Sequence, residues 1–317
     1  MMKRVIVESP FAGDVERNIA YARLCLRDCL LKGEAPIASH LLYTQPNVLD
    51  DKVPDERNLR ISAGLAWGCV AEMTAVYTDY GMSNGMRLGT QRAESEERPV
   101  EYRQLFNGML TPEEQKTLDS YRKIATARGK THANPDFWRS EFGKFQNLLS
   151  VGKVIDVGCG SGRDSILFTE AGYDYVGIDI SDEMLAEARQ LVPTANFIKG
   201  NAYSLDFPSR SFDGFWAAAS LLHIPKINAS LVLQEIKRVV RSGGIGFIAM
   251  KEGEGEKMVR GSIDGDERFF SFYGETEFLN LLRGNGFEVI EHLRDMREYN
   301  PPKNLTVWLL YIVRVNS

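Results

Sequence analysis

Val154-Ile155-Asp156-Val157-Gly158-Cys159-Gly160-Ser161-Gly162-Arg163-Asp164 decides how this chain is read. An apolar run meets three glycines at alternate positions. A helical pattern follows at Ile166, Leu167 and Phe168, and an acidic strand end at Gly177-Ile178-Asp179. Strand, glycine turn and helix together form a nucleotide-cofactor turn, because glycine lets the backbone approach a ligand without a Cβ clash. A dinucleotide fingerprint reads G-x-G-x-x-G and seats a pyrophosphate on the helix N-terminus. Here the spacing is G-x-G-x-G and Asp156 stands just before the first glycine. A carboxylate at that place repels a pyrophosphate and suits a cationic ligand or an amino group.

Downstream, strands are expected at Tyr175–Asp179, Ala195–Lys199, Gly214–Ala218 and Gly246–Met250, with helices at Asp182–Leu191 and Ser230–Val240. Ser242-Gly243-Gly244 reads as a turn before the fifth strand. A further helix is expected over Thr276–Asn285. Phe287–His292 and Thr306–Val315 then follow without a helical pattern between them, which predicts an antiparallel hairpin at one sheet edge. Ligands of open α/β sheets sit at the carboxyl ends of the strands. Asp179, at the end of the second strand, is placed to accept two hydrogen bonds from ribose hydroxyls. Asn201, after the third, is placed to meet an adenine edge.

Residues 120–317 resemble a class I S-adenosylmethionine-dependent methyltransferase. The resemblance rests on Asp156–Gly162, Asp179, Gly200-Asn201-Ala202 and Ser211-Phe212-Asp213-Gly214, and on Ser220-Leu221-Leu222-His223-Ile224-Pro225 and Arg241-Ser242-Gly243-Gly244, six motifs in the family's order. It implies a Rossmann-like sheet with a terminal antiparallel strand and S-adenosylmethionine as cofactor. The cofactor positions are then Asp156, Gly158, Cys159, Gly160, Gly162, Asp179, Ile180, Asn201, Ala202 and Ala218. Asn201 departs from the acid that many members carry there, and an amide can still pair with adenine. Cys159 reads as a small residue packed under the turn. His223 lies where the family places groups near the transferred methyl, and two roles stay open for it: general base, or a loop histidine that shapes the pocket. Tyr121, Trp138, Trp216, Phe272 and Tyr273 are wall or core candidates. Lys251-Glu252-Gly253-Glu254-Gly255-Glu256 reads as a mobile acidic loop.

Upstream lies a second α/β segment. Its strands are expected at Val5–Val7, Pro36–His40, Glu72–Tyr77 and Pro99–Tyr102. Helices are expected over Val15–Lys32, from Asp55 to about Gly68, and over Gly85–Ser95, with an irregular loop at Leu41–Val53. Alternation of this kind argues for a parallel sheet. Residues 3–103 resemble the nucleoside 2-deoxyribosyltransferase-like group, which includes nucleotide N-glycoside hydrolases. The residues that carry this are Ser9-Pro10-Phe11-Ala12-Gly13, Ala38-Ser39-His40, Val70-Ala71-Glu72-Met73-Thr74 and Ser83-Asn84-Gly85-Met86-Arg87-Leu88-Gly89. The resemblance implies a flavodoxin-like or deoxyribosyltransferase-like parallel sheet. It also implies a nucleoside or nucleotide bound by Ser9, Phe11, Gly13, His40, Ser83 and Arg87. The group's attacking glutamate lies in a G-x-E-L-G-like step, and here Arg87 occupies it. Either the unit binds without cleaving, or another acid, Asp79 in its polar loop, takes the catalytic role.

Length and composition frame these readings. At 317 residues the chain favours two domains, and 44% hydrophobic with 26% charged residues supports folded cores. The expected organisation is a nucleotide-binding domain over residues 1–104, a helical linker or N-terminal helices of the methyltransferase over 105–150, and the methyltransferase domain over 151–317. Thr111-Pro112-Glu113-Glu114 and Asn134-Pro135-Asp136 start the linker's helices. A net charge of −5 gives no general footprint for a polyanion, so stable nucleic-acid binding is not expected. The four cysteines, Cys25, Cys29, Cys69 and Cys159, form no C-x-x-C pair, and a metal site is not expected. No apolar run is long enough to span a membrane, and the chain reads as cytoplasmic. A homo-oligomer stays open. The leading expectation is a methyltransferase acting on a small molecule, a nucleoside, nucleotide or modified base among the candidates. The alternatives are a nucleotide N-glycosidase and a nucleotide-sensing binding protein.

Overall fold

The computed structural model describes residues 2–316 except 14, 46, 51, 106–109, 132, 261–264 and 299–304. Two compact units emerge, residues 1–109 and residues 110–317. The helices expected over residues 105–150 fall within the second unit.

The first unit runs β1 (Lys3–Glu8), α1 (Val15–Leu31), β2 (Glu34–Ile37), α2 (Ser39–Leu42), α3 (Pro54–Ala66), β3 (Met73–Tyr77), α4 (Asn84–Ser95) and β4 (Val100–Arg103). Its four strands are all parallel, in the order β2-β1-β3-β4. The apolar stripe of α1 (Tyr21, Cys25 and Cys29) packs on Val5, Val7, Ala75 and Tyr77 to form the core. The strand expected over Pro36–His40 is shorter. It stops at Ile37, and Ser39–Leu42 turns into α2, which carries His40 and opens the stretch expected to be a loop.

The second unit begins with α5 (Pro112–Thr131). The Thr111 hydroxyl accepts the Glu114 amide at 3.2 Å, and the Glu114 carboxylate accepts the Thr111 amide at 2.8 Å, a reciprocal cap. A 3₁₀ turn at Pro135–Trp138 leads into α6 (Arg139–Leu148). There follow β5 (Lys153–Val157), α7 (Ser165–Glu170), β6 (Asp174–Asp179), α8 (Asp182–Leu191), β7 (Asn196–Lys199), β8 (Phe212–Ala218), α9 (Lys226–Val239) and β9 (Val240–Lys251). The chain continues through β10 (Glu256–Arg260), β11 (Glu267–Ser271), α10 (Glu275–Gly284), β12 (Phe287–Glu298) and β13 (Leu305–Val315).

Seven of these strands form one sheet, in the order β12-β13-β9-β8-β5-β6-β7. Strands β5 to β9 are parallel to one another, and β13 runs antiparallel to both β9 and β12. This is a Rossmann-like sheet with the expected antiparallel hairpin at one edge. Trp138, Phe142, Phe145, Phe168, Trp216 and Phe247 meet mainly edge to face in its core, with ring centroids between 4.2 and 6.3 Å in pairs such as Trp216–Phe247 and Phe142–Trp216.

Two local expectations are corrected. Ser242–Gly244 is no separate turn. It lies inside β9, where the pairing with β8 shifts register and Gly243 takes φ +77°. The acidic stretch at Lys251–Glu256 is a short link into β10, which pairs antiparallel with β11 as a two-stranded ribbon. Period-two patterning there is masked by charge (Glu256, Lys257 and Arg260). No helix of the described residues is long and apolar enough to cross a membrane.

Candidate functional site

A cavity of about 220 Å³ opens in the second unit beyond the carboxyl ends of β5, β6 and β8. The glycine turn forms its floor. Gly158 sits at φ +79°, and a Cβ there would come within 2.4 Å of the Ser220 Cβ. Gly162, at φ +82°, packs on Ala188, where a Cβ would come within 2.8 Å of the Ala188 Cβ. Side chains are thus excluded at these two positions, where the chain crosses from β5 to α7. The amides of Gly158 and Cys159 both donate to the Ile178 carbonyl at 2.9 Å, which ties the turn to β6.

Asp179 braces the same turn. Its Oδ2 accepts the Gly160 amide and its Oδ1 the Ser181 amide, each at 2.9 Å. Burial pushes its carboxyl above the usual range, and these amides pull the other way. Each oxygen retains a lone pair for a ligand. Asp156 is buried, and its Oδ2 accepts the Tyr175 hydroxyl at 2.7 Å. Burial, then the neighbouring Asp164, drive its carboxyl well up. Asp164 accepts Trp216 Nε1 at 2.9 Å and pairs with Arg163. Three acids therefore line this end of the cavity. Burial first, and Asp156 and Asp179 after it, push the Cys159 thiol well up, which removes it as a nucleophile and fits its reading as a packed residue.

Ile180, Asn201, Ala202 and Ala218 also line the cavity. The Asn201 Oδ1 accepts the Tyr203 amide at 3.0 Å, leaving the amide nitrogen's donors for a ligand. Next to it, the Tyr203 hydroxyl donates to Glu114 of α5 at 2.7 Å.

The opposite wall comes from α5 and the loop after β8. His223 is locked at both nitrogens. Its Nδ1 lies 2.6 Å from the Phe269 carbonyl, which can only accept, so Nδ1 carries the proton. Nε2 then accepts the Tyr121 hydroxyl at 2.8 Å. Burial, aided by Lys251, Arg268 and Arg128, pulls its pKa down to about 3. Arg128 and Arg268 each stand 5.3 Å from the Tyr121 ring centre, and Lys251 stands 4.3 Å from that of Phe270. Of the expected aromatics, Tyr121 and Trp138 line the cavity. Trp216 belongs to the core, Phe272 stacks on Phe270, and Tyr273 packs on Phe278.

Sequence reasoning did not single out Arg128, Glu114, Thr117 or the Phe269 carbonyl. Arg128 was findable, since it stands seven residues after Tyr121 and so shares its helix face. The carbonyl was not, because it depends on the ribbon.

In the first unit the structure gathers part of the expected set. Ser9 Oγ and His40 Nε2 are 2.8 Å apart and buried, and the Phe11 ring stands edge-on to His40 at 6.1 Å. Arg60 of α3 lies 5.6 Å from the Phe11 ring centre. Glu8, not singled out from the sequence, completes the group. Burial raises its pKa to about 8 against the pull of Arg98 and Arg60. Burial and Arg60 lower that of His40 to about 4. Gly13, at φ +94°, turns the loop, and Asn18 holds that loop through the Phe11 and Ala12 carbonyls. Asp79 is held by the Tyr21 hydroxyl and by the Leu105 amide at 2.8 Å. Ser83 caps α4, and Arg87 lies exposed on that helix.

Comparison with known proteins gives two family matches. Residues 155–248 match the family described as a methyltransferase domain, and residues 3–103 match a domain of unknown function. The chain is 36% identical over 114 residues to the 2-methyl-6-phytyl-1,4-hydroquinone methyltransferase of a Synechocystis strain, covering 35% of each protein. It is 31% identical over 150 residues to the demethylmenaquinone methyltransferase of Listeria welshimeri, covering 43% of this chain and 62% of that one. The chain thus spans between about a third and three fifths of these relatives' length. Among solved structures, it resembles the Burkholderia thailandensis 1,6-didemethyltoxoflavin-N1-methyltransferase, which was solved with bound 1,6-didemethyltoxoflavin and S-adenosylhomocysteine. The TM-score is 0.52 at 20% identity, covering 66% of this chain and 92% of that one.

Proposed function

We propose, on the premise that residues 155–248 form a methyltransferase domain, that this chain is an S-adenosylmethionine-dependent methyltransferase of a small molecule. The observation that carries this reading is one cavity with two unlike ends. Asp156, Asp164 and Asp179 gather at the glycine turn, and Tyr121, Arg128 and His223 stand on the other wall. A cavity end with three acids suits a ligand that is itself cationic. When bound, S-adenosylmethionine supplies a methyl group already activated on a positively charged sulfur.

In this reading Asp179 holds the ribose hydroxyls through its remaining lone pairs. Asn201 and Ala202 meet the adenine, with Ile180 and Ala218 beside it. Gly158, Gly160 and Gly162 let the backbone approach, and Asp156 braces the floor beneath them through the Tyr175 hydroxyl. His223 acts here by position. A proton gained on its imidazole would create a fourth cation beside Lys251, Arg268 and Arg128, so it orients the Tyr121 hydroxyl rather than storing a proton. Holding the two reactants in line then does most of the catalytic work.

The cluster of Glu8, Ser9, Phe11 and His40 at the strand ends of the first unit favours a second reading beside this one. That unit binds a nucleoside-like ligand, and its Asp79 serves the loop rather than the chemistry, since two donors already engage it. Heat-stability shifts test both. S-adenosylmethionine and S-adenosylhomocysteine should each raise the unfolding temperature, and absence of a shift with both sinks the methyltransferase reading. A panel of nucleosides and nucleotides tests the first unit in the same assay.

A further inference from the structure

The wall opposite the glycine turn gathers positive charge from three separate elements. Arg128 comes from α5, Lys251 from the end of β9, and Arg268 from β11. Both guanidinium groups face the Tyr121 ring, at 5.3 Å each, and the Lys251 ammonium stands 4.3 Å from the Phe270 ring centre. The Phe270 ring is in turn 4.7 Å from the His223 ring. All three cations act on that one half-buried imidazole. Burial, then Arg268 and Arg128, also pull the Lys251 ammonium down to about 8. An anion placed beside such a cluster is stabilised by it.

Two further observations point the same way. Trp138 lines the cavity, is fully buried, and has an Nε1–H without an acceptor among the described residues. An indole N–H only donates, so it is satisfied by an acceptor atom on a ligand. In addition, the imidazole of this wall does not take up a proton easily, and its Nε2 lone pair is taken by the Tyr121 hydroxyl. Three acids of the cavity stand at the glycine turn, tied to Tyr175, to backbone amides or to Arg163 and Trp216, and Glu114, two helical turns before Tyr121 on α5, accepts the Tyr203 hydroxyl and the Thr111 amide.

We propose that the wall of Tyr121, Arg128 and His223, backed by Lys251 and Arg268, is an anion subsite, and that the methyl acceptor binds there as a small anion bearing a carboxylate, phosphate or ionised hydroxyl. The proposal rests on the methyltransferase reading and narrows its substrate class. An acceptor that arrives ionised carries its own lone pair, so no proton has to leave it at this wall. The two ends of the cavity then match two ligands of opposite charge.

The test is ligand-observed NMR on the full chain saturated with S-adenosylhomocysteine. Three anions are compared with neutral counterparts of similar shape: benzoate with benzamide, phenyl phosphate with benzyl alcohol, and 4-nitrophenolate with nitrobenzene. The anions should bind at least about tenfold more tightly. Arg128→Gln and Arg268→Gln should each weaken them by about five- to tenfold and leave the S-adenosylhomocysteine affinity within about threefold. Equal binding of neutral and charged partners overturns the proposal, as does anion binding that survives both substitutions. Thermal unfolding of each variant is recorded alongside. Arg128 is only half-buried, so its variant decides the matter if the buried Arg268 proves necessary for folding. If S-adenosylhomocysteine does not bind at all, the methyltransferase reading fails by its own measurement. The anion contrast, repeated without it, still decides whether the subsite exists.

Discussion

The Asp179 carboxylate accepts two backbone amides while it faces the cavity, so it shapes the turn and offers the ligand its remaining lone pairs. Asp179→Ala should weaken S-adenosylhomocysteine binding about 10- to 100-fold by calorimetry, the loss of charged hydrogen bonds. Unchanged affinity would mean the ribose contact is misassigned. Glu8 and His40 make a second residue-scale prediction, about pH. Folded Glu8 holds its proton to about pH 8 and the unfolded residue only to 4.5, so this group's contribution is lost as pH rises between them. For His40 the order is reversed. The folded imidazole protonates near 4 and the unfolded one near 6.5, so stability rises with pH over that range. The two slopes offset each other up to about 6.5. Above that Glu8 acts alone, and the first unit should lose up to about 2 kcal/mol by pH 8. In Glu8→Gln the decline should vanish and the rise below pH 6.5 should stand bare. Denaturant midpoints followed against pH measure both, and a decline that persists in the variant rules Glu8 out as its source.

Strand, turn and helix at β5–α7 were legible as a unit, because each glycine there answers a local requirement that sequence spacing records. Gly158→Ala puts a Cβ 2.4 Å from that of Ser220 at φ +79°. It should cost at least about 1–2 kcal/mol of stability and disturb the Asp179 brace. A melting temperature matching that of the unaltered chain would show that the turn can give way. The β10–β11 ribbon was far less legible. Its residues carry charge where a strand pattern would show alternation, and the turn-type residues in sequence between its strands, Gly261-Ser262 and Asp264-Gly265, mark a hairpin only once the strands beside them are recognised. With it went the carbonyl of Phe269, which sets the tautomer of His223. Glu8 was missed for a related reason. In sequence it is one acid before a turn, and only the close approach of Gly89, where a Cβ would come within 2.0 Å of its Oε1, shows how tightly α4 closes over it. α2 replaced part of an expected strand because Ser39–Leu42 closes a turn through backbone bonds that neighbouring apolar residues do not announce.

At the scale of the whole molecule, each unit has its own sheet and core, and the alternation of strands and helices made that division visible in advance. The place of β13 was visible only as one half of a hairpin. In the fold it lies between β9 and β12 and pairs along its length with both. The residues that line the cavity all fall between Leu110 and Ile224, yet the sheet beneath them is joined through a strand at Leu305–Val315. During synthesis the ribosome therefore releases every cavity residue well before the strand that completes their support. A chain stopped at residue 298 should keep a folded first unit and fail to retain S-adenosylhomocysteine on a gel-filtration column; retention would show that five parallel strands suffice. On that prediction, the capacity to bind waits for a segment that lies outside the cavity's lining.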